Sequence, residues 1–295
     1  MQSLLNKKIV TAIIIIVAFC VGIFAFVALQ NKKTLTAPAK ITEGINTVSK
    51  HTVIGTSVEK RNIDAYTYGT GKTHIVFVGG VHGGYEWNSV LLAYKFIDYM
   101  EANPEIIPDN LTVTVIPSAN PDGVYKVVGK EGRFSATNLP PKEETVAGRF
   151  NANGVDLNRN FDCNWKKEST WQNKVVSAGT KAFSEPEALA IKNFVLKNHP
   201  NAFVFWHSQA NAVYASECNN GILTQTLDIM NAYSKASRYS AVKSFDAYPV
   251  SGDAEGWMAS INIPAITVEL QTHETIEWDK NLAGAKALFD YYSKK

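Results

Sequence analysis

The sequence predicts an α/β domain built on a mixed, mostly parallel sheet that is covered by helices on both faces. From about residue 51 to the C-terminus, short apolar runs rich in β-branched residues alternate with longer segments of helical spacing. That alternation is typical of sheets whose parallel strands are joined by crossover helices. Several apolar runs end in glycine or lead into a polar residue, and open α/β sheets bind their ligands at the carboxyl ends of their strands.

The strands are predicted from short apolar runs bounded by turn residues. Residues 53–57 and 63–68 form an expected hairpin, because two alternating runs are separated by a polar turn. Three further runs are rich in β-branched or aromatic residues and predict buried strands at residues 73–80, 202–206 and 264–270.

The helices are predicted from apolar spacing and from end signals. Ser184 and Glu187 stand three apart with Pro186 between them, a pattern that predicts a capping box at the start of a helix extending to about residue 197. Apolar residues at helical spacing predict the other amphipathic helices at residues 86–102, 222–239 and 279–292.

Four residues carry the strongest chemical signal: His82, Glu86, His207 and Glu269. Two histidines and one carboxylate can bind zinc and leave one coordination position open for water, and a second carboxylate can serve as a base. His82 and His207 follow predicted strands. Glu269 lies within an apolar strand, where a carboxylate is costly unless it is paired or has a catalytic task.

Each residue alone has a plainer explanation. A histidine at a strand end is commonly a hydrogen-bonded structural residue, and this applies to both His82 and His207. Glu86 alone is compatible with an acidic residue in the first turn of a helix, where the helix dipole favours it. The combination of all four favours a hydrolytic zinc site.

Six ordered segments carry a family resemblance. They are His82 with Glu86, the segment Asn120–Pro121–Asp122–Gly123, residues 154–160 (GVDLNRN), His207–Ser208, Tyr248 with Ser251–Gly252, and Glu269–Leu270. From about His51 to the C-terminus the chain resembles the zinc carboxypeptidase family of the carboxypeptidase A type. Together with the apolar N-terminal run, the resemblance suggests a bacterial, membrane-anchored member.

The resemblance implies one zinc ion, with His82, Glu86 and His207 as its ligands and Glu269 as the general base and later acid. Asp156 is then the acceptor that orients a ligand histidine. Arg149 is expected to stabilise the oxyanion. Arg133 is the alternative, since it precedes a similar Phe-Ser sequence.

The resemblance also implies a substrate site. Asn158 and Arg159 are expected to bind the terminal carboxylate of a peptide, and Tyr248 to close over it; their alternative is a surface loop that makes its own turn bonds. Glu255 is expected at the base of the side-chain pocket, which favours Lys, Arg or a diaminopimelate-like residue. Its alternative is a side chain that points to solvent from a short helix.

One departure from the family pattern concerns the first two ligands. Family members usually carry His-x-x-Glu, whereas three residues separate His82 from Glu86, and Tyr85 occupies the expected position. Tyrosine is a rare zinc ligand, and Gly83–Gly84 can absorb one extra residue. Glu86 is therefore the expected ligand.

The N-terminus predicts a membrane anchor. Residues 9–29 contain 21 residues without a charge, enough to span a bilayer. This length favours an uncleaved anchor over a secretory signal. The predicted organisation is an anchor or signal segment at residues 1–30, a linker at 31–50 and a catalytic domain at 51–295. The domain is expected outside the cytoplasm, on a single-pass membrane protein or secreted.

Charge and cysteine content set further limits. The net charge of +2 and the lack of a basic stripe make nucleic acid an unexpected partner. Besides Cys20 in the apolar run, the chain has Cys163 and Cys218, which would form one disulfide or stay unpaired.

Three functions remain open from the sequence. The first is a zinc metallocarboxypeptidase acting on extracytoplasmic peptides, and the second is an endopeptidase or amidase acting on cell-wall peptides. The third is a binding module of the same fold without catalysis, against which Glu269 argues. Asn158, Arg159 and Tyr248 favour the first over the second, because a carboxylate clamp is useful chiefly where the substrate ends.

Overall fold

The computed structural model describes residues 50–295. Its strands are β1 (Lys50–Thr56), β2 (Asn62–Tyr68), β3 (Thr73–Val78), β4 (Leu111–Ile116), β5 (Glu168–Trp171), β6 (Lys174–Ser177), β7 (Ala202–Ser208), β8 (Ala212–Ala215), β9 (Ser240–Val242) and β10 (Ala265–Leu270). Its α-helices are α1 (Trp87–Ala102), α2 (Pro121–Val128), α3 (Lys142–Thr145), α4 (Pro186–Asn198), α5 (Thr224–Ser237), α6 (Ala254–Ser260) and α7 (Trp278–Ser293).

Eight of these strands form one mixed sheet in the order β1-β2-β4-β3-β7-β10-β8-β9, and β5 pairs with β6 in a separate ribbon. The centre is parallel, because β3 pairs in parallel with β4 and β7, and β7 with β10. The pairs β1–β2, β2–β4 and β8–β10 are antiparallel. The central strands β3, β7 and β10 therefore all end at the same edge of the sheet.

Helices pack on both faces of this sheet. On one face, Phe77 and Trp206 pack with apolar residues of α1, α5 and α7 in one buried cluster. On the other face, Val76 and Phe205 belong to a second cluster that includes residues of α4 and α6. Neighbouring positions of one strand thus point into different cores, as the two-residue period of a strand requires. The predicted strands at 73–80, 202–206 and 264–270 correspond to β3, β7 and β10.

The predicted helix starts differ from the structure by one or two residues. Helix α1 begins at Trp87, because Glu86 belongs to a preceding 3₁₀ turn (Gly83–Glu86). The capping box predicted at Ser184 is wrong, since the hydroxyl of Ser184 donates to Glu185 Oε1 at 2.8 Å and Glu185 occupies the N-cap position. The Ser184 hydroxyl also accepts from the Thr180 amide at 3.2 Å, so both of these contacts are outside the helix backbone that a cap would satisfy.

The predicted anchor at residues 1–30 and all but the last residue of the predicted linker at 31–50 lie outside the described residues. Within residues 50–295, the helices are too short or too polar to cross a bilayer.

Candidate active site

Two elements bring the predicted metal ligands together. The 3₁₀ turn that follows β3 presents His82 and Glu86, and β7 presents His207 near its carboxyl end. All three side chains are buried, and one potential ligand atom from each lies within 4.8 Å of the others. The turn accommodates the extra residue between His82 and Glu86 because Gly83 adopts φ +46°, a backbone conformation suited to glycine.

Tyr85, which occupies the position expected for a ligand, has other contacts. Its ring lies 5.2 Å from that of Trp171 and 4.7 Å from that of His273, measured between centroids. Burial, followed by the charge of Glu86, raises the pKa of the Tyr85 phenol. A neutral phenol is a poor zinc ligand, so Glu86 is the better candidate.

The three residues fit one zinc ion. Burial, and then the charges of Arg149 and His207, hold the pKa of His82 well below its usual value, so this imidazole is neutral, as a ligand must be. Nδ1 of His82 is buried and makes no hydrogen bond within residues 50–295. Glu86 Oε2 lies 3.0 Å from His207 Nδ1 and accepts from the Ser208 amide at 3.2 Å. Two nitrogens and one carboxylate are the donor set of many hydrolytic zinc sites.

Carboxylates stand beside both histidines. Asp156 Oδ1 lies 3.4 Å from His82 Nδ1, and Glu255 Oε1 lies 3.1 Å from His207 Nε2. Burial by itself would lower the pKa of His207, but Glu86 and Glu255 raise it well above the usual value. His207 therefore carries a proton that a metal ion would have to displace.

Glu269 lies on β10 directly across from His207 on β7, in register with it. Its side chain lines the same cavity as the three candidate ligands. Oε2 of Glu269 is shielded from solvent and has no hydrogen-bond partner in the described part of the chain. Burial, and then the charge of Glu86, raises the pKa of Glu269 to about 8. An unpaired carboxylate of raised pKa is suited to taking up and returning a proton.

Arg149 lies in this cavity, whereas Arg133 does not line it. Nε and Nη2 of Arg149 donate to Asp156 Oδ2 at 3.0 and 2.8 Å, and its guanidinium carbon lies 4.4 Å from the centre of the Trp171 ring. Arg133 is half exposed and pairs with Asp98 instead. The structure thus favours Arg149 as the cation of the site.

The predicted Asn120–Gly123 segment supports Arg149 from behind. Asn120 is the N-cap of α2, where its Oδ1 accepts from the Gly123 amide at 2.8 Å, and its Nδ2 donates to the Arg149 carbonyl at 3.3 Å. Gly123 packs so tightly against this turn that a Cβ would lie 2.3 Å from the Gly148 carbonyl oxygen. This segment holds the backbone of Arg149 in place.

Asn158, Arg159 and Tyr248 all line the cavity. Oδ1 of Asn158 accepts from the Ala254 amide at 2.9 Å, which leaves the N–H groups of Nδ2 as its donors for a carboxylate. Arg159 donates to the Thr170 carbonyl from Nε and Nη2 and to the Asn158 carbonyl from Nη1, which uses three of its five N–H groups and leaves two. The Tyr248 ring lies 4.9 Å from that of Phe245, and burial raises the pKa of its phenol.

Glu255 lines the cavity, as the resemblance implied, and its carboxylate also has a partner within the site. It lies on the short helix α6, but its side chain is buried, so the solvent-facing alternative is wrong. Its carboxylate contacts the candidate ligand His207. Asp253 serves as the N-cap of α6, where Oδ2 accepts from the Gly256 amide at 2.7 Å. Burial, and then Glu255, raises the pKa of Asp253 to about 6.

The cavity around these residues has a volume of about 970 Å³. Cys163 and Cys218 both line it and form a disulfide, with their Cα atoms 6.1 Å apart. Three further acidic side chains, those of Glu217, Asp246 and Asp253, line the same space. The volume is sufficient for several residues of a peptide, and typical of ligand sites in general.

A family model described as zinc carboxypeptidase (peptidase M14) matches residues 39–280, most of the chain and all of the site described above. The chain belongs to the zinc carboxypeptidase family. The members of this family are zinc-dependent peptide hydrolases, and the His82, Glu86 and His207 set is a fitting zinc site for one.

Sequence relatives within the zinc carboxypeptidase family are distant. Zinc carboxypeptidase A 1 of Anopheles gambiae is 26% identical over 210 residues, which is 65% of this chain and 47% of that protein. Gamma-D-glutamyl-L-diamino acid endopeptidase 1 of Lysinibacillus sphaericus is 24% identical over 249 residues, 74% of this chain and 60% of that protein. The chain therefore spans about half to three fifths of the length of these curated relatives.

Solved structures of the same fold include thrombin activatable fibrinolysis inhibitor, with a TM-score of 0.66 and 19% identity over 84% of this chain and 70% of that one. They also include the murein-tripeptide amidase MpaA from Escherichia coli O157, with a TM-score of 0.58 and 23% identity over 81% of this chain and 91% of that one. At these identities the likeness shows the fold. The predicted α/β class, a mixed sheet flanked by helices, is confirmed.

Sequence reasoning missed one buried group beside the zinc carboxypeptidase site. His273 lines the cavity, and its Nδ1 lies 2.6 Å from the hydroxyl of Ser208, which in turn donates to Asn88 Oδ1 at 3.0 Å. Ser208 directly follows the candidate ligand His207. His273 gave no signal in the sequence, because it follows β10 in an irregular segment without a recognisable pattern.

Proposed function

We propose that this protein is a zinc-dependent metallopeptidase that removes the C-terminal residue from peptides outside the cytoplasm. The observation that carries the proposal is the position of Glu269, a shielded and unpaired carboxylate beside a buried set of two histidines and a glutamate. A module that only binds would gain nothing from this costly group. A base next to an open metal site is what peptide hydrolysis requires.

One zinc ion would be held by His82, Glu86 and His207, and when bound it would polarise the scissile carbonyl and lower the pKa of a water. Glu269 takes the proton of the attacking water and returns it to the departing amine. Arg149 keeps three N–H groups after its two bonds to Asp156, and these can stabilise the negative charge that develops on the carbonyl oxygen.

The substrate's terminal carboxylate would be bound by the two remaining N–H groups of Arg159, whose planar fork matches a carboxylate. Tyr248 would close over this end as a phenolic donor. Asn158 would add N–H donors from its Nδ2, while its oxygen, bonded to the Ala254 amide, holds the side chain in place.

The residue removed is proposed to be Lys, Arg or diaminopimelate-like. Support comes from the acidic lining of the cavity, where Glu217, Asp246 and Asp253 surround the path to the site. These carboxylates attract a cationic side chain of the substrate and repel an acidic one.

A cell-wall peptide endopeptidase or amidase is the second candidate. It is supported by the similarity to the Lysinibacillus sphaericus endopeptidase and to the Escherichia coli amidase, whose names describe action on diamino-acid or murein peptides. The two candidates differ in the bond that they cleave. A carboxypeptidase cleaves the last peptide bond and releases one C-terminal residue, whereas the endopeptidase or amidase cleaves another bond and releases a larger fragment.

The catalytic domain is proposed to work outside the cytoplasm, attached to the membrane by residues 9–29 or secreted. The uncharged run at those residues supports an anchor. The Cys163–Cys218 disulfide supports an oxidising compartment.

Two measurements test the proposal on the full-length chain purified in mild detergent. Metal analysis should find one zinc per chain, lost in His207→Ala and Glu86→Gln. Full zinc occupancy in Glu86→Gln together with loss in Tyr85→Phe would show that Tyr85 is the ligand.

The second measurement is hydrolysis of a panel of free-ended peptides and muropeptides, including pairs that end in Lys and Leu. Release of single C-terminal residues, faster for Lys than for Leu, is expected. Release of larger fragments from muropeptides alone would favour the endopeptidase, and zinc binding without hydrolysis of any substrate would favour a binding module.

A further inference from the structure

The far side of the His207 ring is occupied by a second carboxylate besides the candidate ligand Glu86. Nδ1 of His207 faces Glu86 at 3.0 Å, while Nε2 on the opposite edge donates to Glu255 Oε1 at 3.1 Å. Glu255 does not belong to the three residues whose ligand atoms converge on one point. It therefore contacts the candidate ligand from outside the proposed metal site.

The turn that carries Glu255 is held from two directions. Oδ1 of Asn158 accepts from the amide of Ala254, the residue before Glu255, at 2.9 Å. Asp253 caps the helix that carries Glu255 through the Gly256 amide. Both Glu255 and His207 are nearly inaccessible to solvent. A buried carboxylate fixed in this way can determine the orientation of the ring that it contacts.

We propose that Glu255 is a positioning residue that orients His207 as a zinc ligand. A histidine that donates one ring N–H to a fixed carboxylate presents its other nitrogen, with its lone pair, to a metal, and the carboxylate increases the basicity of the ring. Asp156 lies near the other candidate ligand, with its Oδ1 3.4 Å from Nδ1 of His82. Each histidine of the site thus has its own carboxylate neighbour.

This assignment replaces the role in substrate recognition that the sequence suggested for Glu255. An oxygen already accepting from His207 is a weaker partner for a substrate ammonium group, because its lone pairs and charge are shared. The two roles predict different results. A positioning residue changes zinc affinity and lowers turnover of all substrates alike, whereas a specificity residue changes the preference for Lys over Leu and leaves zinc binding intact.

The test measures zinc affinity by competition with a chromophoric chelator, in the full-length chain and in its Glu255→Ala and Glu255→Gln variants. Glu217→Ala is the matched control, since it removes an acidic side chain from the same cavity without contact to His207. Loss of such an outer carboxylate typically weakens metal binding by about 10- to 100-fold, and this is the expected result for Glu255→Ala. Glu217→Ala should bind zinc as tightly as the wild-type chain.

Kinetics on paired substrates complete the test. At saturating zinc, kcat/KM for peptides ending in Lys and in Leu should fall by the same factor in Glu255→Ala. Wild-type zinc affinity in this variant, or a changed Lys-to-Leu ratio, overturns the proposal. If thermal unfolding shows that Glu255→Ala does not fold, the isosteric Glu255→Gln decides by the same criteria.

The inference rests on the proposed zinc site, but the two can fail separately. A wild-type chain that binds no stoichiometric zinc refutes the proposed function itself. Zinc binding that is equally tight in the wild-type chain and in the Glu255 variants refutes only the positioning role.

Discussion

Replacing Glu269 by glutamine should make the metal-free protein more stable while it removes most of its activity. Glutamine preserves the volume of the side chain but cannot ionise. Burial and the neighbouring Glu86 raise the pKa of Glu269 from 4.5 to about 8 in the folded protein. Glu269 therefore ionises more readily in the unfolded chain than in the folded protein, and this difference lowers the stability of the wild-type protein.

The size of the effect follows from this difference in pKa. Without metal, the folded protein at pH 7 retains the proton on Glu269, whereas the unfolded chain has released it. The positive charge of a bound zinc ion would lower the pKa of Glu269 and leave its carboxylate free to act as the base. Each pH unit above 4.5 costs about 1.4 kcal/mol of folding free energy, so the cost at pH 7 is at most about 3.5 kcal/mol. For a domain of this size that corresponds to roughly 7–14 °C in Tm. Below pH 4.5 both states are protonated and the cost disappears.

The assay is chemical or thermal unfolding of both proteins in excess chelator between pH 4 and pH 8. Glu269→Gln should be the more stable protein at pH 7, and its advantage should vanish near pH 4.5. With zinc present, turnover should fall by about 10²–10⁴-fold, the usual contribution of a general base, while zinc stays bound. Equal stability at pH 7 would refute the raised pKa, and near-normal turnover would refute the catalytic role.

The other predictions concern the cation, the disulfide and a buried histidine. Arg149→Ala should lower kcat by about 10²–10³-fold, whereas Arg133→Ala should leave kcat nearly unchanged; the reverse order in steady-state kinetics would contradict the assignment. The Cys163–Cys218 bond closes a loop of 55 residues, so its reduction should lower the free energy of unfolding by about 4 kcal/mol. Urea titrations with and without reductant would measure this loss. The Cys163→Ser/Cys218→Ser double variant is the control and should be unaffected by reductant. Burial lowers the pKa of His74 to about 4, so the unfolded chain takes up a proton before the folded protein does as the pH falls. Between pH 6.5 and pH 4 the wild-type protein should therefore lose at most about 3 kcal/mol of stability that the His74→Gln variant keeps. Parallel stability profiles of the two proteins over this pH range would exclude the contribution of His74.

Sequence patterns predicted the central strands and their ends well, because these strands are buried on both faces. Residues 202–206 consist of Ala, Val and aromatic residues, and the whole of β7 is buried. In such a strand the apolar run and the strand nearly coincide. His82 and His207 follow runs of this kind, so their placement at one edge of the sheet could be expected before the structure was known.

Patterns could not show the contacts that a site residue makes within the protein. Glu255 could be counted to a position in the family pattern, but spacing does not show that its carboxylate also contacts His207. Asn158 was expected to bind substrate, and spacing does not show that its oxygen accepts from an amide almost one hundred residues later in the chain. Such contacts depend on the packing of α6 against the end of β7, which a local pattern does not contain.

The tolerance of the turn at Gly83 has a consequence for how members of this family are recognised. With Gly83 at positive φ, two ligands that are normally three positions apart stay close enough to share one ion when they are four apart. A search with a fixed short signature would pass over this chain. Spatial templates built from ligand atoms and from the carboxylates behind them would recover it, along with other chains whose loops have gained or lost a residue.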